Sequence, residues 1–174
     1  MSALWARRST REYSNRPLEP QVLSDLLWAA CGVNRRASMD RTAPYWRHRM
    51  VLDIYAAMAN GVWIYDPENH GLVQHQTADI RAQTGTQDFV ATVAVNLIYV
   101  AHGERMSDLL PVERRLYASV DTAFVGQNVY LFCASEGLAT VFRGALDTEA
   151  LGKTLDLGLD QFVTFAQSVG YPGH

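Results

Sequence analysis

Only two cysteines, Cys31 and Cys133, occur in the 174 residues, each inside an apolar run ("LLWAACGV", "YLFCASEGL") and without CxxC spacing. That excludes a disulfide framework and a cysteine metal site, and predicts two buried free thiols in a reducing compartment. No apolar stretch approaches the ~20 residues of a membrane span, and the opening "MSALWARRST" lacks the pattern of a secretory signal. A soluble, cytoplasmic chain with no membrane partner is the expectation. A surplus of one charge is missing too: 15 basic residues against 18 acidic ones leave a net charge of −3, which gives no field to hold a nucleic acid. Internal repeats and Pro/Gly/Ser-rich linkers are absent, so one domain over residues 1–174 is expected. His48, His70, His75 and His102 sit in polar stretches with neither HxxxH nor HExxH spacing. No metal site follows from them, and no nucleophile has a recognisable base, so no catalytic side chain is named.

What is present is enough apolar sequence, 48%, to bury a sizeable core. "SALWA" reads as a short N-terminal helix, and "PQVLSDLLWAACGV" as a core-facing one, with Val22, Leu23, Leu26, Leu27 and Ala30 at helical spacing and Pro20 suited to its first turn. A polar, basic loop follows, "NRRASMDRTAPYWRHR". Then come two strand-like runs, "MVLDIYAAM" and "GVWIYD", the second joined through "PENHG" to "LVQH" as a hairpin. "VAVNLIYVA" (93–101) reads as a strand covered on both faces. One long helix is predicted from Val112 to Glu136, ended by Gly137, and its second half is apolar most of the way round, so more than one neighbour must cover it. "GLATVFRG" reads as a strand, "DTEALGKTL" as a helix capped by Asp147, and "DQFVTFAQSVGYP" as a closing strand. The mixture lacks a strict βαβα rhythm, which makes the class α+β.

The stretch "RRSTREY" carries the first chemical signal. Arg7, Arg8 and Arg11 surround Ser9 and Thr10 where the first helix should end, and guanidinium groups match phosphate oxygens with a planar fork of donors. From the residues alone, a solvated surface cluster remains the competing reading.

Taken in order, "RRSTREYSNRPL…LSDLLWAACGVNR", "RTAP", "TGTQDFV", "GQNVYLFCASEGLATVFRG" and the terminal "VGYP" resemble the nitroreductase family of FMN-dependent oxidoreductases over nearly the whole chain. The likeness is to the small branch that includes dehydrogenases of thiazoline and oxazoline rings. It implies a mostly antiparallel sheet of four or five strands wrapped by helices. It also implies a homodimer with the long helix at its interface, and FMN as cofactor. Electrons would pass by a ping-pong route from NADH or NADPH to a small-molecule acceptor such as a quinone or nitroaromatic.

The same resemblance puts the flavin phosphate and ribityl chain on Arg7, Arg8 and Ser9, with Arg11 as a further contact, and the backbone amides of Arg143 and Gly144 at the flavin N5 and O4 side. Where the family has "PSxxNxQ", this chain has "PYWRHRM", so His48 stands at the asparagine position and Tyr45 and Trp46 add bulk. A basic pair that many members carry beyond "VGYP" has no counterpart here; Lys153 and Arg47 are possible substitutes. Two alternatives stay open: a non-catalytic flavin-binding or scaffold protein with an altered substrate loop, and a dehydrogenase of peptide-borne azoline rings. Gln127 and Asn128 interrupt the apolar stripe of the long helix and need partners across an interface or on the flavin.

Overall fold

The computed structural model describes residues 1–173. Helix α1 (Ser2–Ala6) is followed by α2 (Pro20–Cys31), the small hairpin β1 (Val33–Arg35) and β2 (Asp40–Arg41), and then β3 (Leu52–Met58), β4 (Gly61–Asp66) and β5 (Gly71–Gln76). Strand β6 (Val95–His102) leads into the long helix α3 (Pro111–Glu136), and β7 (Ala139–Arg143), α4 (Thr148–Thr154) and β8 (Gln161–Gly170) complete the fold. The hairpin β1–β2 lies in the stretch that the sequence presents as an irregular loop. Its polar residues give no alternation to mark it, and a bulge between Val33 and Arg35 breaks its register.

Strands β3 to β8 form one antiparallel sheet in the order β5-β4-β3-β6-β8-β7, six strands instead of the four or five implied by the resemblance. Strand β6 lies inside it and is buried along its whole length. Its residues alternate between two cores, as a two-residue period requires. Val95, Leu97, Tyr99 and Ala101 pack with Leu26 and Leu27 of α2 and with Val125 and Val129 of α3. Ile98 and Val100 pack on the opposite face with Leu151 and Leu155 around α4.

Helix α3 presents Ala118, Thr122, Val125, Val129 and Cys133 to the sheet at three- and four-residue spacing. It stops where Gly137 takes a left-handed conformation, φ 68°, and its amide bonds the Cys133 carbonyl. Asp147 caps α4 by accepting a hydrogen bond from the Ala150 amide. Both thiols are free and buried, and burial pushes each up to about 12, so they are inert neutral side chains.

Candidate functional site

Arg7 closes α1, its amide bonded to the Ala3 carbonyl, and the chain then turns toward β7, where the Thr10 amide donates to the Thr140 carbonyl at 2.9 Å. Ser9 Oγ lies 2.7 Å from the Tyr130 hydroxyl on α3, and that hydroxyl accepts the Phe142 amide at 2.9 Å. The Arg7 guanidinium stands 5.1 Å over the Tyr130 ring. Tyr130 thus joins the basic turn to the end of β7, where Arg143 and Gly144 follow. Arg8 lines a cleft of about 160 Å³ with Thr10, Tyr130 and Gly137. Among the described residues, Arg7, Arg8 and Arg11 have no carboxylate partner. Three unpaired guanidinium groups beside a hydroxyl can hold a phosphate.

At the other side of this cluster, Gly144 is exposed, and a Cβ there would meet only the Phe165 ring, at 3.4 Å. A flat ligand can therefore approach its backbone closely. The Arg143 side chain points the opposite way and is buried. It donates to Ser168 Oγ, the Thr84 carbonyl and Asn96 Oδ1 at 3.0–3.1 Å. Burial lowers it to about 10, so it stays charged at neutral pH among neutral acceptors.

His48 belongs to a different part of the chain surface. The segment Trp46–His48 is a single tight turn in which Arg47 (φ 46°) and His48 (φ 55°) are both left-handed, an uncommon and strained conformation for side-chain-bearing residues. Several contacts hold it. The Tyr45 hydroxyl donates to Asp40 at 2.9 Å, Arg47 and Arg49 share Asp108, and His48 Nδ1 lies 3.6 Å from Asp40 with the ring 88% exposed. Hydrogen bonds from the Ser38 and Tyr45 hydroxyls hold the Asp40 carboxyl well below its ordinary range.

The innermost anchor of this turn is Asp121 on α3, whose two carboxylate oxygens accept the Trp46 amide at 3.1 and 3.0 Å. Asp121 is buried, and burial raises its carboxyl to about 6 against the pull of that amide. A raised folded-state value means that the native state binds more protons than the unfolded chain between about pH 4 and 6, so stability falls as pH rises through that window. Asp121→Asn should therefore unfold at a higher temperature than the parent at pH 8, by the equivalent of about 2 kcal/mol. Its advantage should shrink toward pH 4, and parallel melting curves against pH would contradict the assignment.

Arg7, Ser9 and the end of β7 come together in one chain, while His48 does not join them. Its turn meets α3 at Asp121 and Tyr117, whereas the basic turn meets α3 at Tyr130, nine residues and about 13 Å further along the helix. Lys153 pairs with Glu149 on α4 and Arg47 with Asp108, so neither accompanies the basic turn. Asn128 donates to the Ala30 carbonyl at 3.4 Å, while Gln127 is exposed. His102 has polar neighbours as expected, Asp53 at 2.6 Å with Glu104 and Gln161 nearby, but it is buried at the end of β6. Its polar sequence neighbours hide that it ends a fully buried strand. Asp121 and Tyr130 escaped the sequence reading. Asp121 had one signal, a carboxylate in register with the core stripe of α3.

The family model described as "Nitroreductase family" matches residues 4–171. A nitroreductase homologue from Methanocaldococcus jannaschii is 33% identical over 149 residues, which is 80% of this chain and 75% of that protein. The crystal structure of a nitroreductase homologue from Ralstonia eutropha is 39% identical, with a TM-score of 0.95, over all of this chain and 83% of that one. The NADPH:FMN oxidoreductase of Vibrio harveyi, solved with NAD+, shares the fold at 21% identity and a TM-score of 0.70, over 99% of this chain and 68% of its own.

Proposed function

The chain belongs to the nitroreductase family, and from that premise we propose that it is an FMN-dependent oxidoreductase. It takes electrons from NADH or NADPH and delivers them to a quinone, nitroaromatic or other conjugated acceptor. The carrying observation is the basic turn: three unpaired arginines and Ser9, drawn by Tyr130 against the end of β7. The residues fit FMN. Arg7, Arg8, Ser9 and Arg11 suit its phosphate and ribityl chain, and the exposed Gly144 backbone, next to Arg143 at the end of β7, suits the polar edge of a planar ring.

When bound, the flavin supplies hydride and electron transfer. The protein's part is position: the turn holds the phosphate by charge-assisted bonds, and Gly144 admits the ring to amide contact. Purified protein should be yellow and release FMN on denaturation. Anaerobic addition of NADH or NADPH should bleach the flavin absorbance. Bound FMN that neither nucleotide bleaches would favour the second reading, a non-catalytic flavin protein, which the bulky, multiply anchored Tyr45–Met50 segment supports.

A homodimer is part of the proposal. The face of α3 turned from the sheet exposes Val112, Leu116, Val120 and Phe124 at four-residue spacing, an apolar stripe that water covers poorly. The His48 turn and the basic turn of one chain also meet α3 nine residues apart, at Asp121 and Tyr130, which fits a site assembled from two chains. Sedimentation at micromolar concentration should give a dimer, with an interface of well over ~2,000 Å². Leu116→Arg combined with Phe124→Arg should give monomers. A parent protein that sediments as a monomer would overturn this part.

A further inference from the structure

A cleft of about 400 Å³ lies between β3, the β4–β5 turn and the segment from Arg41 to Met50. None of the residues proposed to hold the flavin lines it. Arg41 does, with its side chain only 8% exposed, and its Nη1 is buried without a hydrogen-bond partner among the described residues. Its nearest carboxylate, Glu68, is 3.9 Å from Nη2, beyond hydrogen-bond reach, and is 65% exposed at the mouth. A buried guanidinium with an unused donor is costly to keep unless an acceptor meets it.

The other charged groups of the cleft are already engaged. Arg105 donates to the Met50 carbonyl and to Asp53. Asp53 also pairs with His102; burial alone would raise its carboxyl, but the His102 and Arg105 contacts outweigh that and lower it. Asp66 is consumed by its own turn, accepting the Glu68 and Asn69 amides and the Asn69 side chain. Three carboxylates around two arginines disfavour a doubly charged anion such as phosphate. The remaining walls, Met50, Leu52, Ile54 and the Tyr65 ring, are apolar, and Cys31 stays a neutral thiol.

We propose that this cleft binds a small organic monocarboxylate with an apolar tail, its carboxylate seated on Arg41 and its tail on the wall formed by Leu52, Ile54 and the Tyr65 ring. The volume lies within the range of small-molecule pockets. Glu68, which holds Arg41 only loosely, gives way to the ligand.

Titration of the purified protein with benzoate, followed by ligand- and protein-observed NMR, tests the site. Saturable benzoate binding is expected, with at least tenfold weakening in Arg41→Met and in Arg41→Gln, and several-fold tightening in Glu68→Gln. Benzamide and phosphate should not compete at equal concentration. Without benzoate, Arg41→Met should melt no lower than the parent, because it removes a buried charge that has only a loose contact with the exposed Glu68 and one unused donor. Equal benzoate affinity in the parent and both Arg41 variants would overturn the proposal. So would absence of saturable binding, or a large loss of melting temperature in both variants, which would make Arg41 a structural residue only.

Discussion

In Arg8→Ala, FMN is expected to bind about 30- to 150-fold more weakly than in the parent, the equivalent of losing 2–3 kcal/mol from one charge-assisted phosphate contact. Riboflavin, which has no phosphate, should bind the two proteins almost equally. The contrast between the ligands is the measurement that counts. An arginine acting through general folding or surface charge would weaken both, whereas a phosphate ligand weakens one. Arg8 is exposed and has no ion pair among the described residues, so its removal should leave melting temperature nearly unchanged. Ser9→Ala should cost less, because Ser9 offers one neutral hydroxyl that is already shared with Tyr130.

Gly85→Ala should lower the unfolding free energy by about 3 kcal/mol or more, read as a shift in urea midpoint at unchanged slope. A Cβ at position 85 would run into Arg143 Nη1, inside contact distance, and would approach the Ala145 carbonyl to 3.2 Å. The guanidinium has little room to retreat, since Ser168, Thr84 and Asn96 hold all of its arms in a buried place. Displacing it would leave a charge stranded among neutral groups. The paired test is the double variant Gly85→Ala with Arg143→Met, in which the obstructing nitrogen is gone. Its loss should be clearly smaller than the sum of the single losses, as contacting residues require, and additive losses would mean that the glycine serves the backbone instead.

Much of the architecture could be read from residue order, because the relevant forces act between near neighbours. Pro20 and Gly137 mark helix ends, Asp147 bonds an amide three residues on, and the β-branched run at 95–101 carries its own strand preference. The hairpin β1–β2 went unread because its polar, bulged strands show no period. Of the candidate site, the basic turn was legible as a cluster. Its partner Tyr130 was not, since that tyrosine reads as one more residue in the apolar stripe of α3.

What the sequence by itself determined is therefore local and compositional: the helices, most strands, the α+β class, the two buried thiols and the three arginines around Ser9. Only the tertiary structure decided which distant pieces meet. It set β6 between β3 and β8, drew Ser9 to Tyr130 and the end of β7, carried His48 away from them, and enclosed Asp121, His102 and Arg41. The reason is physical. A residue's conformational preference depends on the few positions beside it, but burial and hydrogen-bond partners arise when the sheet closes residues far apart in the chain against one another, and chemistry depends on those partners.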